Sequence, residues 1–98
     1  MNYIDFLADR IRANVPAEFL PSGDNFQLFR IYAVLLLALG GRVSRADVHN
    51  AWAAWMADRV KSHPALVPYE ELDPVTAKQD LPFLDAIRQV AHEIGAQP

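Results

Sequence analysis

Ninety-eight residues suffice for one small domain with one core, since domains usually run to about 100–200 residues. With 52% apolar and 21% charged residues, the chain reads as globular rather than disordered. The absence of cysteine excludes disulfides, thiolate nucleophiles and zinc–thiolate sites, and a net charge of −3 offers no basic field for nucleic acid or anionic lipid.

The opening MNYIDFLADR carries Asp5 and Asp9 and lacks a basic stretch followed by an apolar one, so it does not read as a signal peptide. Asn2 is placed to cap a first helix, with Asp5 as its reciprocal partner. Ile4, Leu7 and Ile11 mark the inner face, with Tyr3 and Asn14 near the same stripe. Pro16 stops this helix, because proline disfavours helical geometry in its predecessor. From Pro16 to Gly23 the chain reads as a loop that folds Phe19 and Leu20 back onto the core. Asp24 opens a second helix, with Gln27 completing a capping pattern. From Phe26 to Leu39 it is apolar on almost every side, which predicts a central helix surrounded by others. Its uncharged run, Ile31 to Gly41, is far shorter than the roughly 20 residues a hydrocarbon core requires.

Gly40 and Gly41 end the second helix, and Ser44 caps a third with Asp47 at N3. Val43 and Val48 are spaced as a hydrophobic staple. The third helix is predicted to reach Val60 or Lys61, with Val48, Trp52, Trp55, Met56 and Val60 facing inward. From Ser62 to Pro74 the chain is proline-rich yet carries Leu66, Val67, Tyr69 and Leu72, so it reads as an ordered, packed crossover with one helical turn at Tyr69–Leu72. Asp73 and Pro74 start a short helix. Pro82 requires a restart with Asp80 as N-cap, and Leu84, Ile87, Val90, Ala91 and Ile94 form the last inner stripe before Gly95. The fold class is all-α: a single compact domain, residues 1–98, of four main helices with the crossover between helices three and four. Residues 1–43 supply the first helix and the apolar central one.

His49-x-x-Trp52, then HPALVPYEEL from His63 to Leu72, with Asp80 downstream and a final helix, resembles the ryanodine-receptor repeat domain over about residues 45–95. Lys78 stands two residues before Asp80, where the family places its lysine three before. Short proteins from actinobacteria and their phages carry such a core, and the present chain resembles them. The resemblance implies a compact helical module for protein or ligand contacts, with nucleotide-like ligands for prokaryotic members, and does not imply an enzyme. The candidate ligand- or partner-binding residues are His49, Trp52, Trp55, His63, Pro64, Val67, Pro68, Tyr69 and Asp80.

Each of these residues also has a purely structural reading. Two tryptophans at helical spacing suit a core, and the two prolines of HPALVPY make a rigid lid. His63 then bonds a backbone carbonyl, His49 orients against Tyr69 or a carboxylate, Asp80 is a cap, and Tyr69 bonds His49 or Asp80.

Catalysis finds no support: the three histidines lack helical metal spacing, the serines lack an elbow motif, and no phosphate-cradling glycine loop occurs. No metal or other cofactor is expected. A helix-turn-helix reading rests on Arg42 and Arg45, opposed by Asp47 and Asp58 on the same helix, so nucleic acid is disfavoured. The expectation is a small non-enzymatic adaptor in the cytoplasm (the host's, if phage-encoded) that contacts a protein partner or pairs as a homodimer through the alanine-rich third helix. A module for a small nucleotide-like ligand is the alternative, and a DNA-binding regulator a further one. No membrane association is expected.

Overall fold

Local capping rules account for most of the helix boundaries in the computed structural model, which describes residues 2–95. Helix α1 spans Tyr3–Ala13, and the Asn2 side chain accepts the Asp5 N–H at 2.8 Å. Asp5 does not return the bond as the sequence predicts. Its carboxylate instead takes two hydrogen bonds from Arg30, at 2.7 and 3.2 Å, and so ties the first two helices together. Leu7, Ala8 and Ile11 are buried, whereas Tyr3 and Asn14, expected near that stripe, lie exposed.

Helix α2, Phe26–Leu39, begins two residues beyond Asp24, whose carboxylate accepts the Phe26 N–H at 3.1 Å. Asn25 occupies the cap position without capping. Its buried amide instead accepts from Arg12 and donates to the Pro21 carbonyl, anchoring the preceding loop. Leu28, Phe29, Tyr32, Ala33 and Leu36 form the buried face of α2. The helix is not surrounded on every side: Val34 and Leu37 are 55% and 49% exposed. A chain this short has helices enough to cover one side of α2 and none left for the other.

Gly40, at φ +58° and ψ −134°, stops α2 in a conformation that a side chain would strain. Helix α3, Arg45–Ala57, follows a complete capping box between Ser44 and Asp47, and the staple residues Val43 and Val48 are fully buried. It ends short of Val60, which is exposed. Both the Arg59 and Val60 N–H groups bond the Met56 carbonyl, and the Arg59 guanidinium lies 4.2 Å from the Trp55 ring centroid while donating to the Asp24 carbonyl. The crossover, residues 58–73, contains a single 3₁₀ turn at Tyr69–Glu71. Helix α4, Pro74–Lys78, is capped by Asp73, and helix α5, Leu81–Glu93, carries Pro82 in its first turn.

Asp80 stands at the N-cap position of α5 but makes no capping bond, because its backbone is already helical (φ −78°, ψ −17°) and a capping side chain needs an extended one. On α5, Leu84, Ala86, Ile87, Val90 and Ala91 are buried, and Ile94, expected on that stripe, is exposed. The core thus lies between α2 and the inner faces of α1, α3 and α5. Phe29, Tyr32 and Phe83 pack there as an aromatic trio with centroids 5.5–6.3 Å apart. The Arg88 guanidinium reaches the Val43 carbonyl at 2.8 Å, and Arg10 pairs with Glu93, closing α5 onto the rest. A Cα radius of gyration of 12.9 Å matches the value of about 13 Å for a single packed unit of this length.

Candidate functional site

His49 and Trp52 lie one turn apart on α3, and the crossover folds back across them. His49 is buried, with Nε2 2.7 Å from the Val67 carbonyl oxygen. A carbonyl only accepts, so Nε2 donates. Trp52 stacks on the His49 ring at 5.7 Å and 25°, and His63 meets Trp52 edge-on at 5.2 Å and 77°. Tyr69 lies 6.2 Å from His49, centroid to centroid.

Two of the local expectations differ from this arrangement. His63 does not bond a carbonyl; its Nδ1 accepts the Ala65 N–H at 3.0 Å, since the intervening Pro64 has no N–H and turns the chain back over the ring. The His49 ring does lie against Tyr69, as expected, but its hydrogen bond goes to the backbone, and no hydrogen bond joins Tyr69 to either His49 or Asp80 among the described residues.

Between α3, the crossover, α4 and the first turn of α5 opens a cleft of about 1000 Å³. Its floor carries Tyr32, His49 and Asp80; Trp52, Met56 and Phe83 form the walls; Phe19 and Val75, both exposed, stand among the lining residues nearer solvent. Asp80 Oδ2 is buried and has no hydrogen-bond partner. Burial raises the Asp80 carboxyl to about 6, partly offset by the charge of His49. Burial, and then the negative charge of Asp80, raise the Tyr32 phenol far above its ordinary value, so it remains a neutral hydroxyl. The remaining charged lining residues are Glu18, Glu71, Asp73 and Lys78. Asp73 is held below the usual carboxylate range by the backbone and hydroxyl of Thr76.

Of the sequence-predicted residues, His49, Trp52, His63, Pro64, Val67 and Asp80 meet in this cleft. Trp55, Pro68 and Tyr69 do not line it. Trp55 is a core side chain beneath Arg59, and Tyr69 lies against the His49 ring. Pro68 joins Ala53, Ala54 and Ala57 along a separate shallow groove on α3. Sequence reasoning missed Tyr32, Met56, Phe83 and the loop residue Phe19. Tyr32 alone left a signal, as the one polar side chain between Arg30 and Gly40.

Arg42, just before α3, and Arg45, its first residue, are both exposed, and Asp47 stands in the same first turn. Among the described residues no group of three or more His, Cys, Asp or Glu side chains is arranged to hold a metal ion, and no helix is long and apolar enough to cross a membrane.

One family model matches the chain, over residues 2–92: Domain of unknown function (DUF7701). No curated protein and no solved structure matches it.

Proposed function

The chain belongs to the DUF7701 family, whose description names no activity, and from its cleft we propose that it is a non-enzymatic module that binds a small ligand. One observation carries this reading: a cleft of small-molecule size, about 1000 Å³, is lined by Asp80, a carboxylate with one oxygen buried and without a partner. Leaving a buried acceptor unsatisfied costs about 1–3 kcal/mol, so the Asp80 carboxylate gains from a donor that enters the cleft. The walls supply apolar and aromatic surface, and the floor a few convergent polar groups, the usual division of labour in a binding pocket. We also read residues 45–95 as the ryanodine-receptor-repeat-like part, in a cytoplasmic protein. In support, the HPALVPYEEL segment packs over His49 and Trp52, so the residues that carry the likeness are neighbours in space.

A thermal-shift screen of small polar aromatics and metabolites tests the reading. A ligand at ten times its Kd adds about 1.4 kcal/mol and raises Tm by several degrees in a domain of this size. That gain should vanish in Trp52→Ala, and the absence of any shift at millimolar concentration across the screen would sink the reading.

The adaptor is the second reading, favoured by exposed Val34 and Leu37 on α2, Tyr3 and Phe6 on α1, and the alanine-lined groove of α3. Light scattering after size exclusion decides its homodimeric form, which requires a mass that rises with concentration. DNA binding rests on Arg42 and Arg45 alone and ranks third.

A further inference from the structure

Charge separates the classes of molecule the cleft can hold. Four carboxylate side chains line it (Glu18, Glu71, Asp73 and Asp80) against one ammonium, Lys78, and no arginine. A phosphate group carries about two negative charges and is bound by arginine forks, lysines or the free N–H groups of a helix N-terminus. The N-terminus of α5 does face the cleft through Leu81, Pro82 and Phe83. Its anion position is already taken by negative charge, because Asp80 stands there, and Pro82 removes one of the N–H donors.

What the cleft does offer is aromatic surface on Trp52, Phe83 and His63 together with the Asp80 carboxylate, one oxygen of which is buried without a donor. Aromatic faces attract cations, and a desolvated carboxylate pairs best with a charged N–H group. Resting on the ligand-module reading, we propose that the ligand is an organic cation, an amine or amidine on an apolar body, whose N–H groups bond Asp80 while its body lies among Trp52, His63 and Phe83. The nucleotide-like alternative is thereby replaced by a ligand without phosphate.

The test uses probes that share one ring and differ in charge: benzamidine, benzamide and benzoate, with adenosine monophosphate added. Occupancy is read from the indole N–H resonances of the chain's two tryptophans, assigned with Trp52→Phe. Benzamidine should move the Trp52 signal and leave Trp55, which lies outside the cleft, unmoved. Benzamide should bind at least tenfold more weakly, and benzoate and adenosine monophosphate should not bind. Asp80→Asn should weaken benzamidine about tenfold and leave benzamide within twofold, with an unshifted Trp55 signal reporting an intact fold. Glu71→Gln, nearer the cleft mouth, should weaken benzamidine about twofold. Equal or tighter binding of benzoate or adenosine monophosphate in the cleft overturns the cation and leaves the ligand module standing. If no probe moves Trp52, the ligand module falls as well. If acetyl-arginine-amide binds tighter than benzamidine, the occupant is a protein's basic side chain and the small-molecule assignment is wrong.

Discussion

The core under α2 and the cleft beside α3 are built from the same kinds of residue and obey opposite rules. In the core, Phe29, Leu28, Ile87 and Val90 are fully enclosed. Around the cleft, Trp52, Phe83 and Met56 are only partly covered, His49 and His63 are fixed to backbone, and Asp80 Oδ2 is left without a partner. Among the described residues each region holds one buried side-chain polar atom without a partner, the Trp55 indole nitrogen on the core side and Asp80 Oδ2 on the cleft side. Of the two residues, Asp80 lines the cleft and Trp55 does not. Apolar burial secures the fold, therefore, while incomplete burial at the cleft marks where the molecule has capacity to spare.

Truncation should break the comparison most forcefully. Phe29→Ala is expected to lower stability by about 3–5 kcal/mol in urea denaturation, whereas Phe83→Ala, half-covered at the cleft wall, should lose about half as much. Equal losses would make the cleft wall an ordinary piece of core. His49→Ala removes the one side-chain bond from α3 to the crossover carbonyl at Val67 and should lower stability by about 1–3 kcal/mol. Hydrogen exchange should then accelerate across residues 63–72 before it does so in α2.

Asp80 carries a signed pH effect. Its folded carboxyl, near 6, lies above its ordinary value of 3.8, so the native state binds the extra proton between those limits. Stability is fully retained below about 4, falls as pH rises through about 6, and stays lower above. Asp80→Asn, which mimics the neutral acid, should match the wild type at pH 4 and exceed it by about 1 kcal/mol at pH 8, the modest size reflecting solvent access to half of the group. A pH-independent difference would show that Asp80 is not desolvated.

Ser44→Ala, remote from the cleft, should cost about 1 kcal/mol through the lost cap. The smallest effect belongs to Arg30→Gln. The Asp5 carboxyl is held below the usual range chiefly by its hydrogen bonds from Arg30, so the pair's contribution is present at neutral pH and lost as acid protonates Asp5. It should also fade in high salt, as an exposed pair does.

Much of this architecture was legible because its determinants are local. The Ser44–Asp47 box, the Gly40 stop and the helix starts at Pro74 and, beside Pro82, at Leu81 each depend on a few adjacent residues, and each stands where the spacing predicts. Errors arose where a distant group competes for the same atom. Asp5 gave its carboxylate to Arg30 instead of to its own cap. Periodicity marked α2 as apolar all round but carries no information on how many helices remain to cover it, hence the exposure of Val34 and Leu37. The candidate site divides the same way. His49, Trp52, His63 and Asp80 belong to one recognisable run, whereas Phe19 and Tyr32 arrive from the other half of the chain, where no short motif links them to it.

The bond from His49 to the crossover ends on a main-chain carbonyl rather than on a side chain. Every residue type presents that same oxygen, so the fastening is indifferent to what occupies position 67, while the Val67 side chain itself lines the cleft. The pocket's shape and its chemistry are therefore separable at this point. Exchanging Val67 for threonine or isoleucine re-surfaces the interior without loosening the wall, which makes the position a tuning point for which molecule the scaffold accepts.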